Sequence, residues 1–226
     1  MRRSKRPKVA KKSPEDILKT SKSHFSAPTG IFQEGRYILG FDPGKRNLGW
    51  AIFMMGKYQA KYIDSGTLKV KGKPKTDNES ILHLNEFLGD LNRKYKPSAI
   101  CWENVMGGGI SSARTILGEV QGIIKLTAYL EDIDTVMLPV QTRCMENLLL
   151  GTTTLKRGDK KIATCEKIKS SFPDQLGDRR VTKTGIFTHE ADAIGCLYGL
   201  FKANDIKIEG VNYEGEEIST DSDEMH

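Results

Sequence analysis

The sequence predicts an α/β fold, a mixed five-stranded sheet with helices on both faces, and three observations carry that expectation. Three extended apolar runs follow one another from Tyr37 to Leu68. Segments with helical period then alternate with two shorter apolar runs. Gly-, Pro- and Lys-rich stretches separate these elements, which is the pattern of a sheet flanked by helices.

Taken in order, Tyr37–Phe41 and Gly49–Met55 are the first two strands, joined by a turn over Pro43–Asn47, and a third run reaches Leu68. They should pair as antiparallel neighbours. Gly72–Asp77 reads as a polar loop. Asn78–Lys94 has Ile81, Leu84, Leu88 and Leu91 at helical spacing, and Pro97 ends that segment before a short strand at Ala99–Trp102. Gly107, Gly108 and Gly109 form a loop, and Ser111 or Ser112 caps a helix striped by Ile116, Leu117, Val120, Ile123, Ile124 and Leu130. Thr135–Leu138 is the fifth strand, with Pro139 expected at the start of the next helix. A basic loop over Gly151–Asp159, a helix over Lys160–Ser171, a loop over Pro173–Thr184 and a helix over His189–Lys202, capped by Thr188, complete the chain.

The ends differ from the middle. Residues 1–37 carry ten Lys or Arg against three acids, and residues 205–226 carry eight acids against one Lys. The expected organisation is a basic flexible arm over 1–36, one domain over 37–204 and an acidic flexible tail over 205–226. The tails nearly cancel, so the formal net charge of +6 describes the middle and suits a polyanion partner. The arm reads either as a phosphate-contacting segment or as a nuclear-import signal. Cys101, Cys144, Cys165 and Cys196 form no Cys-x-x-Cys pair, which argues against a zinc site or disulfide framework and for a reducing, cytoplasmic setting. No apolar run has the length of a membrane span, so no membrane partner is expected.

Two carboxylates end apolar strands: Asp42, ahead of Pro43-Gly44, and Glu103, after Ala99-Ile100-Cys101-Trp102. On neighbouring strands they would meet at one edge of the sheet, where open α/β sheets place their sites. A third, Asp192, follows His189 by three residues, so both side chains share one helical face. Each has an ordinary reading alone: a turn residue, a solvated strand end, a helix-start acid. Together they make a set of hard oxygen ligands with one imidazole, which suits Mg2+ or Mn2+. Two such ions roughly 3.5–4 Å apart would clamp the attacking water and leaving oxygen of a phosphodiester.

The run Ile38-Leu39-Gly40-Phe41-Asp42-Pro43-Gly44-Lys45-Arg46-Asn47-Leu48-Gly49-Trp50 resembles the opening of RuvC-family Holliday-junction resolvases. Leu117-Gly118 with Gly122 is similar to the family's second block, and His189-Glu190-Ala191-Asp192-Ala193 to its third. The resemblance covers about Ile38 to Phe201 and implies an RNase H-like fold. It implies that Asp42, Glu103, Asp192 and His189 are catalytic and hold the metal, Mg2+ with Mn2+ as substitute. Glu190, one residue from His189 and about 100° around a helix, ranks outside the ligand set, although a shifted helix start would exchange the two roles. Met106 stands where some members have an aromatic that stacks on junction bases, and Arg143 with Lys160 or Lys161 approximately matches strand-contacting basic residues. The helix over Ser111–Glu131 would be a dimer interface. The implied activity is a homodimeric endonuclease that binds branched DNA, four-way junctions above all, and resolves them by paired symmetric nicks. His189 would also assist proton transfer.

Three rivals remain. A relaxed nuclease acting on forks and flaps fits the Met106 departure and the triple glycine. A sugar-kinase or actin-like ATPase shares an Asp-x-Gly opening, but lacks here a second such hairpin and the length to hold an adenosine loop. A non-catalytic DNA-binding module would not need the acidic ligands.

Overall fold

The computed structural model describes residues 13–44, 46–70, 77–104, 112–131, 135–151, 155–182, 185 and 187–211. Its centre is a sheet built from β1 (Tyr37–Asp42), β2 (Asn47–Met55), β3 (Gln59–Lys69), β4 (Ala99–Glu103), β5 (Val136–Val140) and β6 (Lys207–Ile208). Their order across the sheet is β5-β4-β1-β2-β3-β6. The first three strands pair antiparallel, while β4 runs parallel to β1, β5 parallel to β4 and β6 parallel to β3.

The period-two alternation of a strand sends successive side chains to opposite faces, and here each face has its own core. Leu39 and Phe41 of β1 join Ile52, Ile100 and Trp102 under α2 (Asp77–Tyr95) and α3 (Ser112–Leu130). Ile38 of β1, with Phe53, Ala99 and Cys101, faces a second group of helices. These are α1 (Pro14–Ser23), α4 (Thr142–Leu150), α5 (Arg157–Ser171), the four-residue α6 (Pro173–Leu176) and α7 (Phe187–Ala203). Helix α7 is the central one, buried along nearly its whole length. A helix apolar all round belongs in the interior of a layered fold.

The structure departs from the sequence expectations at the ends of elements. The sheet has six strands rather than five, because β6 has only two residues and shows no period to read. Pro139 lies inside β5 and does not open a helix; β5 is an edge strand, where a missing N–H is tolerated. Helix α5 begins at Arg157 rather than Lys160, α7 at Phe187 rather than His189, and α6 occupies part of the expected Pro173–Thr184 loop. Ile81, expected on the buried face of α2, is 38% exposed.

The packed body also starts before Tyr37 and continues past Asn204. Ser13 and Asp16 form a reciprocal capping box that starts α1, and Phe25 and Ile31 are buried against the α7 side of the core. Ile208 is buried at the other end. These apolar residues stand singly among polar ones, so no periodic pattern marks them. The cap satisfies helix N–H groups locally, and two large side chains then anchor the segment.

Two glycines let α7 lie against the sheet, and a third, on α7, admits the Phe25 ring. A Cβ at Gly49 would sit 1.9 Å from the His189 carbonyl oxygen, and one at Gly40 would sit 2.6 Å from that of Ala193. At Gly199 it would meet the Phe25 ring at 2.7 Å. Gly49→Ala should therefore push the start of α7 off the sheet and destabilise the protein by about 2–3 kcal/mol, the range of severe overpacking. Urea unfolding of the variant beside the parent would show it as a lowered midpoint.

Candidate active site

Strand register brings the first two carboxylates together. Phe41 of β1 pairs in parallel with Trp102 of β4, so Asp42 and Glu103, one residue further on, stand side by side at the same level. Both continue the Ile38/Gly40 and Ala99/Cys101 rows, which face α7. Asp192 comes down onto them from α7. One ligand oxygen from each of Asp42, Glu103 and Asp192 can be chosen so that all lie within 4.8 Å of one another.

Three other side chains adjoin this cluster, and one main-chain bond braces it. His189, one turn before Asp192, places Nδ1 2.6 Å from Asp42 Oδ2. With Asp42 ionised, that nitrogen is the donor. Lys161 of α5 holds Nζ 3.3 Å from Asp192 Oδ2. Thr142, the first residue of α4, donates its hydroxyl to Glu103. Asn104, just past β4, ties its N–H to the Val140 carbonyl at 2.5 Å, which fixes the strand end that carries Glu103.

Among the described residues, the site is short of cations. Burial pushes the Glu103 carboxyl well up from its usual range, and the charges of Asp42 and Asp192 push it further, against the Thr142 bond. Asp192 is pushed up to about 7 by burial and then by Asp42, although Lys161 and His189 oppose the shift. For Lys161 burial works against the charge, but Asp192, then Asp42 and Glu103, outweigh it and hold the ammonium above the ordinary lysine range. One ammonium does not balance three converging carboxylates, and buried charges demand a partner. The donor set is all carboxylate oxygen around the cluster, the chemistry of a hard divalent cation. The residues present fit such an ion.

The remaining expected site residues are placed as follows. Arg143 is exposed in the first turn of α4, next to Thr142. Lys160 is paired with Glu146 at 3.5 Å, whereas its neighbour Lys161 reaches the carboxylates. Met106 and the triple glycine lie outside the described residues. Glu190 turns away from Asp42, accepting from Ser65 Oγ at 2.7 Å and pairing with Arg179 at 3.4 Å. Sequence reasoning missed Thr142 and the Ser65–Glu190–Arg179 group. Thr142 reads as a helix-start residue, and Ser65 is 125 positions from its partner, so no local spacing signals either one.

An antiparallel three-strand unit continued by parallel strands, with acids at the ends of β1 and β4 and on the last long helix, defines an RNase H-like fold with a carboxylate cluster at its sheet edge. Residues 38–145 match the sequence model of the family described as crossover junction endodeoxyribonuclease RuvC. Relatives of that name include one from Hydrogenovibrio crunogenus, 28% identical over 96 residues covering 42% of this chain and 55% of the relative. Another, from Rickettsia typhi, is 32% identical over 87 residues, covering 38% of this chain and 55% of the relative. The chain thus spans little more than half the length of these curated relatives. Among solved structures, Thermus thermophilus RuvC aligns with a TM-score of 0.53 at 14% identity, covering 75% of this chain and 96% of that one. The yeast mitochondrial Holliday junction resolvase aligns at 0.57 and 13% identity, covering 85% and 94%. At such identities the likeness is one of fold. It extends over much more of the chain than the sequence match, which ends before Asp192.

The Asp192 shift sets a pH dependence. A carboxyl that binds its proton more tightly when folded, with a value near 7 against 3.8 for the ordinary group, stabilises the fold fully below about 3.8 and loses that contribution as pH rises through about 7. In a chelator the melting temperature should therefore fall between pH 5 and pH 8. Added Mg2+ should raise it more at pH 8 than at pH 5, and Asp192→Asn should flatten the chelator profile. Thermal melts at matched ionic strength measure all three.

Proposed function

We propose that the protein is a metal-dependent, structure-specific DNA endonuclease that resolves four-way junctions by paired symmetric nicks. The observation that carries this reading is the convergence of Asp42, Glu103 and Asp192 at one sheet edge with Lys161 beside them. The names of its relatives, crossover junction endodeoxyribonucleases, agree with it, and a Thermus thermophilus RuvC has been solved with a Holliday junction substrate.

In this reading Asp42, Glu103 and Asp192 would hold Mg2+, for which Mn2+ would substitute, while His189, expected among the ligands, turns its Nδ1 to Asp42. When bound, the metal polarises the phosphodiester and makes water a stronger nucleophile at neutral pH. The chain's own residues do the rest. Thr142 fixes the rotation of Glu103, and His189 fixes Asp42 through Oδ2. With Nδ1 so engaged, His189 keeps Nε2 to accept or deliver a proton at the reacting face. Lys161 offsets the charge of Asp192 and lies where a substrate phosphate would approach, and Arg143 adds a second cation at the rim. Lys160 contributes through the same basic face. Met106 keeps the role of an apolar wedge between bases.

A two-fold dimer suits a four-way junction, whose opposed strands are cut symmetrically. On the face away from α7, α2 and α3 expose Leu82, Leu126, Tyr129 and Leu130, the last three between 53% and 80% exposed. Large apolar residues grouped on one outer face mark an interaction surface. We assign it to the dimer.

Asp42→Asn should abolish Mg2+-dependent cutting of a synthetic four-way junction, by at least about 100-fold, the scale of losing a key electrostatic group. Binding should persist in a mobility-shift assay, and a variant that still cuts would remove the central claim. Leu126→Glu combined with Leu130→Glu should yield a monomer in sedimentation velocity that nicks one strand at a time. Unchanged sedimentation would mean that this face is not the dimer contact.

A further inference from the structure

A second built feature lies two strands from Asp42. Asp42 pairs with Gly49 of β2, and Gly49 pairs with Thr67 of β3, so Thr67 stands level with Asp42 across the sheet. Two strand spacings separate them by about 10 Å. Thr67 lines a cavity of about 590 Å3 whose other walls include Arg179, Arg180, Thr182, Gly185 and Glu190. That volume falls within the roughly 300–1,000 Å3 typical of ligand pockets.

The cavity floor is a buried polar group rather than a solvated surface. Glu190, 4% exposed, accepts from Ser65 Oγ at 2.7 Å, and Ser65 Oγ in turn meets the Tyr62 hydroxyl at 2.8 Å. Arg179 approaches the same carboxylate at 3.4 Å through both Nε and Nη2, yet its Nε is buried without a well-formed hydrogen bond. A guanidinium carries five donors in a rigid fork, and Glu190 occupies only part of them. Arg180 beside it is exposed. Two guanidinium groups against one carboxylate that is already engaged leave the pocket cationic, with Thr67 and Thr182 on its walls. Glu190 is fixed there because it follows His189 directly: about 100° of helical rotation sends one residue to Asp42 and the other to this pocket.

We propose that this cavity is a nucleotide subsite for the DNA strand being cut. It would receive the phosphate of a nucleotide within about three positions of the cut bond, since a stacked strand advances about 3.4 Å per nucleotide. Arg180 makes the direct phosphate contact, and Arg179, held by Glu190, makes the second. Sugar and base occupy the remaining volume. The assignment rests on the nuclease reading for the identity of the strand, but its geometry stands on the pocket alone. It makes the helix turn at His189–Glu190 a divider, with the reacting phosphodiester on one side and a gripped neighbour on the other.

The test combines Arg180→Ala with Asp42→Asn, the second change preventing cleavage during binding measurements. Junction affinity is followed by fluorescence anisotropy as a function of salt, and single neutral methylphosphonates are walked along the strand on both sides of the cut position. Loss of one phosphate contact should lower the salt slope by about 0.9 relative to Asp42→Asn alone. One methylphosphonate within three nucleotides of the cut should weaken Asp42→Asn severalfold and leave the double variant indifferent. An unchanged slope, or a methylphosphonate profile identical in the two proteins, overturns the subsite. If the parent protein cuts junctions and the profile ignores Arg180, the subsite fails while the nuclease reading stands. If the parent does not cut but an Arg180-dependent position appears, the phosphate-binding pocket stands and its assignment to a cut strand falls with the nuclease reading. Failure of Asp42→Asn to bind the junction at any salt concentration removes both.

Discussion

The close approach of α7 to the antiparallel half of the sheet is the constraint on which the rest of the structure depends. Gly40 and Gly49 offer no side chain toward the helix, and main-chain carbonyls of Ala193 and His189 occupy the space that a Cβ would need. Larger residues at either position would hold the helix away, because packed interiors have no room for an added methyl group. The contact sets the height of α7 above β1 and β2 and the rotation about its axis. Asp192 and His189 reach Asp42 only because both are fixed. The apolar residues that α7 buries along nearly its whole length supply the energy that keeps this contact closed.

That packing gathers negative charge where burial makes it costly. Glu103 and Asp192 are pushed toward their protonated forms by desolvation and by one another's neighbours, and Lys161 relieves only part of the strain. A fold gains nothing in stability from such an arrangement, and the uncompensated charge is the physical mark of a site built for a cation. The supporting bonds from Thr142 and His189 have the same sense. They orient carboxylate oxygens toward a shared point rather than toward solvent.

The adjacent positions His189 and Glu190 show how one helical turn serves two environments. His189 belongs with Asp42, while Glu190 is buried with Ser65 and Arg179 on the side of β3. The segment between α6 and α7, which carries Arg179 and Arg180, lies beside this second environment and gives it its positive charge. The two faces of the sheet divide in a similar way. One buries α7, and the other exposes Leu126, Tyr129 and Leu130 on α3.

The sequence by itself determined the sheet-and-helix alternation, the three antiparallel strands, and the placing of Asp42 and Glu103 at strand ends. Each is written in local period and in the residues that stop it, and the three-residue spacing of His189 and Asp192 put them on one helical face by the same geometry. Local period says nothing about contacts between distant segments. The two-residue β6, the anchoring of Phe25 and Ile31, and the passage of β5 through Pro139 were decided by pairing and burial across the chain. So were Thr142 on Glu103, the division of Lys160 from Lys161, and the Ser65–Glu190–Arg179 group, whose members are brought together only when α7 settles onto the glycine rows of β1 and β2.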